Sequence, residues 1–134
     1  MTIKVVCGIL IQNNQVMIAK RNYGSSKGYY EFPGGKVEKD EDLVEAIQRE
    51  WKEECDIEIE NIRLFDKNVD FQDGNELVLT YFVFTSRQQP KLSVHSHFIF
   101  TQPNHIYRYH FFEADKKVVQ KLSEEWKCLI KQMK

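Results

Sequence analysis

The stretch FPGGKVEKDEDLVEAIQREWKEECDI, residues 32–57, decides the fold of this chain. Its third and fourth residues are consecutive glycines, Gly34 and Gly35, and a segment with helical periodicity follows. Asp42 and Glu45 have the spacing of a capping box, in which each side chain bonds the backbone of the other residue. The stretch therefore predicts a helix over residues 42–54.

This predicted helix carries three glutamates on one face, because residues three and four apart are neighbours on a helix. They are Glu50, Glu53 and Glu54. The apolar side of the helix is predicted to comprise Val44, Ile47 and Trp51. The solvent side is predicted to comprise Glu45, Gln48 and Lys52. The three glutamates thus border the apolar side, where like charges destabilise an isolated helix by about 0.2–0.5 kcal/mol per pair.

Two interpretations of the glutamate face are open. It is either a solvated charged surface, as charge runs commonly are, or a site for a hard divalent cation that prefers oxygen ligands. Gly34 and Gly35 favour the cation, because glycines let the backbone approach closely and turn sharply, so that a carbonyl can join the carboxylates. Arg49 is placed to orient a carboxylate through a bidentate pair.

Composition limits the classes of function. With 134 residues, 42% hydrophobic and 29% charged, the chain is expected to form one domain over residues 1–134. A net charge of -1 gives no general attraction for a nucleic-acid polymer or an anionic membrane. Three cysteines without paired spacing indicate reduced thiols and a cytoplasmic protein. The apolar start IKVVCGILI is too short to span a bilayer and lacks a cleavage site, so it predicts a buried strand.

The remaining elements follow from local patterns. IKVVCGILIQ and VMIAKR predict a hairpin, and NYGSSKGYY, residues 22–30, predicts a loop. IRLFDKNVDFQ and ELVLTYFVFTS predict two strands around the turn DGN. HFIFT predicts a short strand and IYRYHFF a loop, and apolar residues at helical spacing from Val118 to Ile130 predict a final amphipathic helix. Helices separated by strands indicate an α+β fold, with a mixed sheet between helices.

The central stretch resembles the Nudix box, which reads G, five residues, E, seven residues, then R-E-U-x-E-E-x-G-U with U a bulky apolar residue. The matching positions over residues 35–57 are Gly35, Glu41, Arg49, Glu50, Trp51, Glu53, Glu54 and Ile57. Asp56 replaces the glycine that ends the helix, and it is expected there in a left-handed conformation, which Asp tolerates better than most residues. So many fixed positions in one register make the match specific.

The resemblance extends to the MutT-like subgroup through GILIQNNQVMIAKR, EFPGGKVE and ADKKVVQKL. It implies the Nudix α/β/α sandwich and hydrolysis of a nucleoside triphosphate such as 8-oxo-dGTP to a monophosphate and pyrophosphate. The implied cofactor is Mg²⁺, with Mn²⁺ as an alternative, and the partner is a small nucleotide bound by a monomer or dimer. The implied cellular role is nucleotide-pool sanitation.

The resemblance also implies roles for individual residues. The implied metal ligands are Gly35, Glu50, Glu53 and Glu54, and the implied catalytic set is Glu50, Glu53 and Arg49. Arg21 and Lys36 match phosphate-binding positions. Asp115 matches the base-recognition position, and its alternative role is the N-cap of the last helix. Candidates for stacking on the base are Phe32, Phe71, Tyr81 and Phe111, although aromatic residues more often build the core.

Two departures from the family pattern concern the substrate and the metal. Ser96, within the HSH of residues 95–97, stands where MutT-like enzymes supply a further loop glutamate. A transition-metal site on His95 and His97 is possible in principle, but ordinary polar roles are favoured. Asp115 stands where 8-oxo-dGTP hydrolases often have Asn, and related CTP pyrophosphohydrolases share this Asp.

Other substrates remain as alternatives. They are CTP or dCTP, ADP-ribose and dinucleoside polyphosphates. ADP-ribose relatives often place a proline after the box, and none occurs here between Ile57 and Pro90. A noncatalytic binding module is least favoured, because such modules commonly lose the box carboxylates that this chain retains.

Overall fold

The computed structural model describes residues 1–22, 24, 27–91 and 95–133, apart from the side chain of Ser96. The strands are β1 (Thr2–Gln12), β2 (Gln15–Arg21), β3 (Tyr30–Glu31), β4 (Gly34–Lys36), β5 (Glu60–Gln72), β6 (Asn75–Thr85) and β7 (His95–Thr101). The helices are α1 (Leu43–Cys55) and α2 (Lys116–Gln132). Short 3-10 helices cover Pro103–Arg108 and Glu113–Asp115.

Strand β1 organises a mixed sheet. It pairs in parallel with β6 and antiparallel with both β2 and β4. The strand order is β3-β2-β1-β6-β5, with β4 added on β1 and β7 on β2. The two predicted hairpins are confirmed, since β1 turns into β2 at Gln12 and Gln15, and β5 turns into β6 at Gln72 and Asn75.

The sheet separates two apolar layers because side chains alternate along each strand. On β1, Cys7, Ile9 and Ile11 belong to the core layer that also contains residues of α2. Val6 and Leu10 belong to the layer that contains residues of α1. The α/β/α sandwich is therefore confirmed, with one long helix packed on each face.

Helix α1 begins as the sequence predicts. The backbone N–H of Glu45 donates to the Asp42 carboxylate at 2.8 Å, and the N–H of Asp42 donates to the Glu45 carboxylate at 3.0 Å. The helix ends at Asp56 in the left-handed conformation, with φ 54°. Asp56 thus takes the conformation expected at the position where the family has glycine.

The apolar face of α1 differs from the prediction at one position. Val44 is 42% exposed, so its assignment to the buried side is wrong. The stripe that packs on the sheet runs through Ala46, Ile47, Trp51 and Cys55 instead. Val44 lies in the first turn, outside that stripe, and the exposed residues Glu45, Gln48 and Lys52 agree with the prediction.

The two glycines before α1 do not form the sharp turn that the sequence suggested. Gly34 and Gly35 lie in β4, where they pair with Cys7 and Val6 of β1, and neither has a positive φ. Glycine is needed at Gly34 because the backbone of β1 approaches it closely. A Cβ on Gly34 would overlap the backbone carbonyl of Val6.

The predicted segments near the C-terminal half are only partly regular. HFIFT lies in β7 as predicted, whereas part of IYRYHFF belongs to the 3-10 helix Pro103–Arg108 rather than to a loop. In the predicted loop over residues 22–30, Tyr30 belongs to β3. Tyr23, Ser25 and Ser26 lie outside the described residues. The final amphipathic helix is confirmed, with Val118, Leu122 and Leu129 buried.

Among the described residues, neither helix combines the length and apolar character that crossing a membrane requires.

Candidate active site

A cavity of about 660 Å³ opens between β1, β4 and the segment before α2. Its wall combines an apolar part with a charged part. The apolar part includes Val5, Cys7, Leu77 and Leu79. The charged and backbone part includes Arg21, Glu31, Gly35, Lys36 and Asp115. Such a mixture suits a ligand with a flat apolar portion and an anionic portion.

Gly35 joins this cavity to the glutamate face of α1. It lines the cavity on β4, and a Cβ built on it would lie 2.5 Å from the carboxyl carbon of Glu50. A side chain at this position would require the Glu50 carboxylate to move. The structure thereby brings the backbone of β4 against the carboxylate of Glu50.

Glu54 is the most deeply buried of the three glutamates, with 8% of its surface exposed. The pKa of its carboxyl is raised to about 10, mainly by burial, with contributions from a hydrogen bond and the like charge of Glu50 and from the charges of Glu31 and Glu53. Glu53 is much more open, with 58% of its side chain exposed. A buried carboxyl crowded by other carboxylates is in unfavourable surroundings for its charged form.

A divalent cation fits this donor set. Within residues 1–22, 24, 27–91 and 95–133, no three His, Cys, Asp or Glu side chains already form a metal-binding arrangement. The residues nevertheless offer carboxylate oxygens and the adjacent Gly35 backbone, which are hard ligands. Positive charge placed among them would offset the repulsion that raises the pKa of Glu54.

Arg49 makes its bidentate pair with Glu41. Its Nε and Nη2 donate to the two oxygens of that carboxylate at 2.7 and 2.9 Å. Arg49 Nη1 also donates to Glu50 at 2.9 Å and to Glu53 at 3.3 Å, while Nη2 donates to the carbonyl of Lys36 at 3.1 Å. The pairing lowers the pKa of Glu41 to about 2 and raises that of Arg49. Arg49 therefore orients carboxylates of the site and ties them to β4.

The two candidate phosphate-binding residues, Arg21 and Lys36, both line the cavity. Arg21 ends β2, and its Nε lies 3.5 Å from an oxygen of Glu31. Its guanidinium carbon lies 5.1 Å from the centre of the Phe112 ring. These contacts hold the arginine at the cavity wall and leave its side chain 20% exposed.

Asp115 lies at the cavity but does not cap α2 with its side chain. It occupies the N-cap position of α2 as predicted, but with a helical backbone conformation and no capping hydrogen bond to its carboxylate, so only the capping by its side chain is wrong. Instead, the Tyr81 hydroxyl donates to Oδ1 at 2.5 Å and the N–H of Phe32 donates to Oδ2 at 3.4 Å. The 3-10 turn just before the helix redirects the carboxylate toward β6 and β3.

The surroundings of Asp115 also shift its protonation equilibrium. Its pKa is raised to about 7, mainly by burial and also by the charge of Glu31. The Tyr81 hydroxyl, the Phe32 N–H and the charge of Arg21 act in the opposite direction. A carboxyl with this pKa is partly protonated at neutral pH, so it can donate as well as accept.

The predicted aromatic partners of a base are mostly core residues. The Phe32 ring is 2% exposed and meets Tyr81 and Phe111 edge to face, at centroid distances of 6.4 and 5.2 Å. Phe32 still borders the cavity. Phe71, at 72% exposure, lies on the outer strand β5.

Sequence reasoning missed Glu31, and it considered His95 without finding the carboxyl groups that this histidine contacts. The ring of His95 is buried, with Nε2 2.9 Å from Glu31 and Nδ1 3.8 Å from Glu54. His97 is exposed, while the side chain of Ser96 is outside the described part of the chain. The pair of carboxylates around one histidine has no local sequence signal, because Glu31, Glu54 and His95 come from three separate elements.

Comparison with known proteins identifies the family. The NUDIX domain family model matches residues 1–128. An 8-oxo-dGTP diphosphatase of Proteus vulgaris is 37% identical over 83 residues, covering 60% of this chain and 70% of that protein. A CTP pyrophosphohydrolase of Escherichia coli K12 is 42% identical over 57 residues, which covers 42% of either protein. This second match spans less than half of the relative's length.

Solved structures agree with the sequence matches. A MutT structure described for Aliivibrio salmonicida and Vibrio cholerae superposes with a TM-score of 0.80 and 27% identity, covering 93% of this chain and 99% of that one. The chain therefore belongs to the Nudix family. It is a MutT-like hydrolase acting on acid anhydrides, and enzymes of this family generally use divalent metals.

Proposed function

We propose that this chain hydrolyses a nucleoside triphosphate, such as 8-oxo-dGTP, to a nucleoside monophosphate and pyrophosphate with the help of Mg²⁺ or Mn²⁺. The observation that carries the proposal is the shared cavity. Its lining combines an apolar wall with the charged and polar groups of Asp115, Arg21, Lys36 and Gly35, which supports the binding of a base beside a chain of phosphates. A base and a polyphosphate chain need these two environments side by side.

In this proposal, each end of the cavity has a separate task. Asp115 and the apolar wall bind the base, while Arg21 and Lys36 bind phosphate oxygens. Phe32 contributes its backbone N–H to the position of Asp115, and its ring supports the wall from the core. The charged groups hold the anhydride bond near the glutamate face, which α1 presents next to Gly35.

The glutamates would hold the cation and handle the proton. Glu50, Glu53, Glu54 and the Gly35 carbonyl are the proposed ligands. When bound, the cation would neutralise developing phosphate charge and lower the pKa of the attacking water. Water then forms a bond to phosphorus, the anhydride bond breaks toward pyrophosphate, and the released proton goes to Glu50 or Glu53. Arg49 keeps Glu50 and Glu53 in place through its hydrogen bonds.

A second candidate substrate class is CTP or dCTP. It is favoured by Asp115, which can accept a hydrogen bond from the exocyclic amine of cytosine, and by the similarity to the E. coli CTP pyrophosphohydrolase. ADP-ribose and dinucleoside polyphosphates rank below the triphosphates. A noncatalytic nucleotide-binding module ranks last, because the box carboxylates are all present.

The proposed setting is the cytoplasm, with a role in sanitation of the nucleotide pool. Cys7, Cys55 and Cys128 are free thiols, which suits a reducing compartment. The proposed partner is a small nucleotide, and residues 1–134 are proposed to act as one domain, as a monomer or dimer.

A substrate panel tests the proposal. Purified protein is incubated with Mg²⁺ and 8-oxo-dGTP, dGTP, CTP, dCTP, ADP-ribose or diadenosine polyphosphates, and both products are identified. Monophosphate plus pyrophosphate from one triphosphate supports the proposal and names its base. Cleavage of only the dinucleotides or ADP-ribose would overturn the triphosphate assignment.

A mutation tests the mechanism. Glu53→Gln keeps the shape of an exposed side chain but removes a proposed ligand charge, so turnover is expected to fall by about 100-fold or more, equivalent to about 3 kcal/mol of activation free energy. Circular dichroism checks that the variant is folded. Near-normal turnover in a folded variant would reject the role of Glu53.

A further inference from the structure

His95 lies at an irregularity of the sheet. It starts β7, and the pairing of β7 with β2 shifts register between Lys20, which faces His97, and Arg21, which faces His95. Such bulges re-aim side chains near functional sites. Here the shift accompanies an imidazole that is 0% exposed, two residues from the exposed His97.

The two nitrogens of this buried ring face two carboxylates. His95 Nε2 lies 2.9 Å from Glu31 Oε2 and forms a hydrogen bond with this carboxyl group. This bond fixes the orientation of the ring. Nδ1 then lies 3.8 Å from Glu54 Oε1, which is close contact but longer than a hydrogen bond.

Glu31 and Glu54 belong to different parts of the site. Glu31 lines the cavity and pairs with Arg21, whereas Glu54 is on α1 within the glutamate face. His95 is packed between them, so it connects the wall that carries Arg21 to the helix that carries the proposed metal ligands.

We propose that His95 is a positioning residue for the cation site, held by Glu31 so that its ring fixes the place of the Glu54 carboxylate. This inference rests on the proposed function, because it assumes that Glu54 is a metal ligand. Groups that orient metal ligands typically change metal affinity or activity by about 10–100-fold when they are removed.

Direct binding of Mn²⁺ to the substrate-free protein tests the inference. Electron paramagnetic resonance measures free Mn²⁺ during a titration. His95→Leu fills much of the space but cannot bond Glu31, and it is expected to weaken Mn²⁺ binding by about tenfold or more. His95→Gln places an amide near the former Nε2, and it is expected to recover most of the affinity. The matched control is His97→Gln, on the same strand but exposed, which should bind Mn²⁺ like the wild type.

Kinetics give a second readout that a purely structural role would not produce. The Mg²⁺ concentration for half-maximal activity should rise in His95→Leu by a factor similar to the loss of Mn²⁺ affinity. The kcat at saturating Mg²⁺ should fall by a smaller factor. A loss of kcat at every Mg²⁺ concentration, with Mn²⁺ binding unchanged, would overturn the positioning role.

Three results decide between the inference and the underlying proposal. A folded His95→Leu variant that binds Mn²⁺ within twofold of wild type overturns the inference, and a Gln variant as weak as the Leu variant overturns the part played by Glu31. If the Leu variant does not fold, His95→Asn, which is too short to reach Glu31, takes its place with the same criterion. Glu53→Gln is titrated in parallel, and if it leaves Mn²⁺ binding and turnover unchanged, the metal site on α1 is rejected, whereas wild-type protein that hydrolyses no triphosphate overturns the proposed function itself.

Discussion

Two glutamates at opposite ends of α1 are held in contrasting ways. Glu41, just before the helix, is paired with Arg49, and its pKa falls to about 2. Glu54, in the last turn, is buried beside Glu50, and its pKa rises to about 10. The same side chain is thus stabilised as an anion in one place and destabilised as an anion in the other. The pair of Glu41 and Arg49 has a structural role. The ionised form of the buried Glu54 carboxyl, by contrast, would be stabilised by a bound cation.

Removing the charge at the buried end is expected to have the largest effect. Glu54→Gln keeps the shape of the side chain and removes the cost of burying an ionisable carboxyl beside Glu50, but it also removes a proposed metal ligand. Turnover should fall by about 100-fold or more, while the free energy of unfolding should not decrease. Steady-state kinetics and denaturant unfolding measure the two quantities. Turnover within threefold of wild type would contradict the contrast drawn between the two glutamates.

Weakening the scaffold at the other end should have the next largest effect. Arg49→Lys keeps a positive charge but loses the two parallel hydrogen bonds to Glu41, because lysine has no planar fork. Turnover is expected to fall by about 10–100-fold through misplacement of Glu50 and Glu53. The control is Lys52→Ala on the exposed side of the same helix, which should keep its activity. Equal activities of both variants would show that the bidentate pair is dispensable.

The base end of the cavity offers a separate test. Asp115→Asn replaces a titrating carboxyl by a neutral amide that always donates and accepts. The relative turnover of substrates with different bases should therefore change by several-fold. Glu113→Gln, an exposed change two residues away, is the matched control. An unchanged ranking in the Asn variant would limit Asp115 to a structural role with Tyr81.

The same substitution has an expected pH signature. The folded pKa of Asp115, about 7, lies above the unfolded value of about 3.9, so the folded state binds the proton more tightly. Its contribution to stability is therefore complete below about pH 4 and is lost as pH rises toward about 7. The titratable and charged groups near this carboxyl are Cys7, Tyr81, Glu31 and Arg21. Denaturant unfolding at several pH values should show this decline in the wild type and its loss in Asp115→Asn.

The smallest effect is expected at the end of α1. Asp56→Gly relieves a left-handed conformation at φ 54° but removes an exposed pair between Asp56 and Lys52. The free energy of unfolding should rise by less than about 1 kcal/mol, with turnover unchanged. Asp40→Gly, at another positive φ of 64°, isolates the backbone contribution. A decrease in stability at Asp56 alone would mean that the ion pair outweighs the backbone strain.

The sequence was sufficient for the helix and the sandwich because these depend on local and periodic signals. The capping box at Asp42 and the alternation along β1 both have such signals. The strand at Gly34 was not predictable, since glycines carry no strand preference and the pairing with β1 comes from distant residues. The exposure of Val44 was not predictable for a related reason. A helical wheel gives the direction of each side chain, but it does not show where the sheet that covers the helix ends.

The candidate site was predictable in part. Sequence spacing placed the three glutamates on one face, and the family resemblance marked Arg21, Lys36 and Asp115, which the fold brings to one cavity. The hydrogen-bond partners could not be foreseen. Tyr81 meets Asp115, and His95 meets Glu31, across sequence distances of 34 and 64 residues. Contacts of that kind depend on the assembled sheet rather than on any local pattern.

The indole of Trp51 gives the molecule a built-in optical probe. Its N–H donates to the carbonyl of Pro33 at 2.9 Å, and its ring is fully buried edge to face against Phe84. The fluorophore therefore sits where the segment leading into β4 meets the helix that bears the glutamates. Separation of those two elements would expose the indole and shift its emission to longer wavelength. Trp126, partly buried on α2, supplies an internal reference on the other side of the sheet.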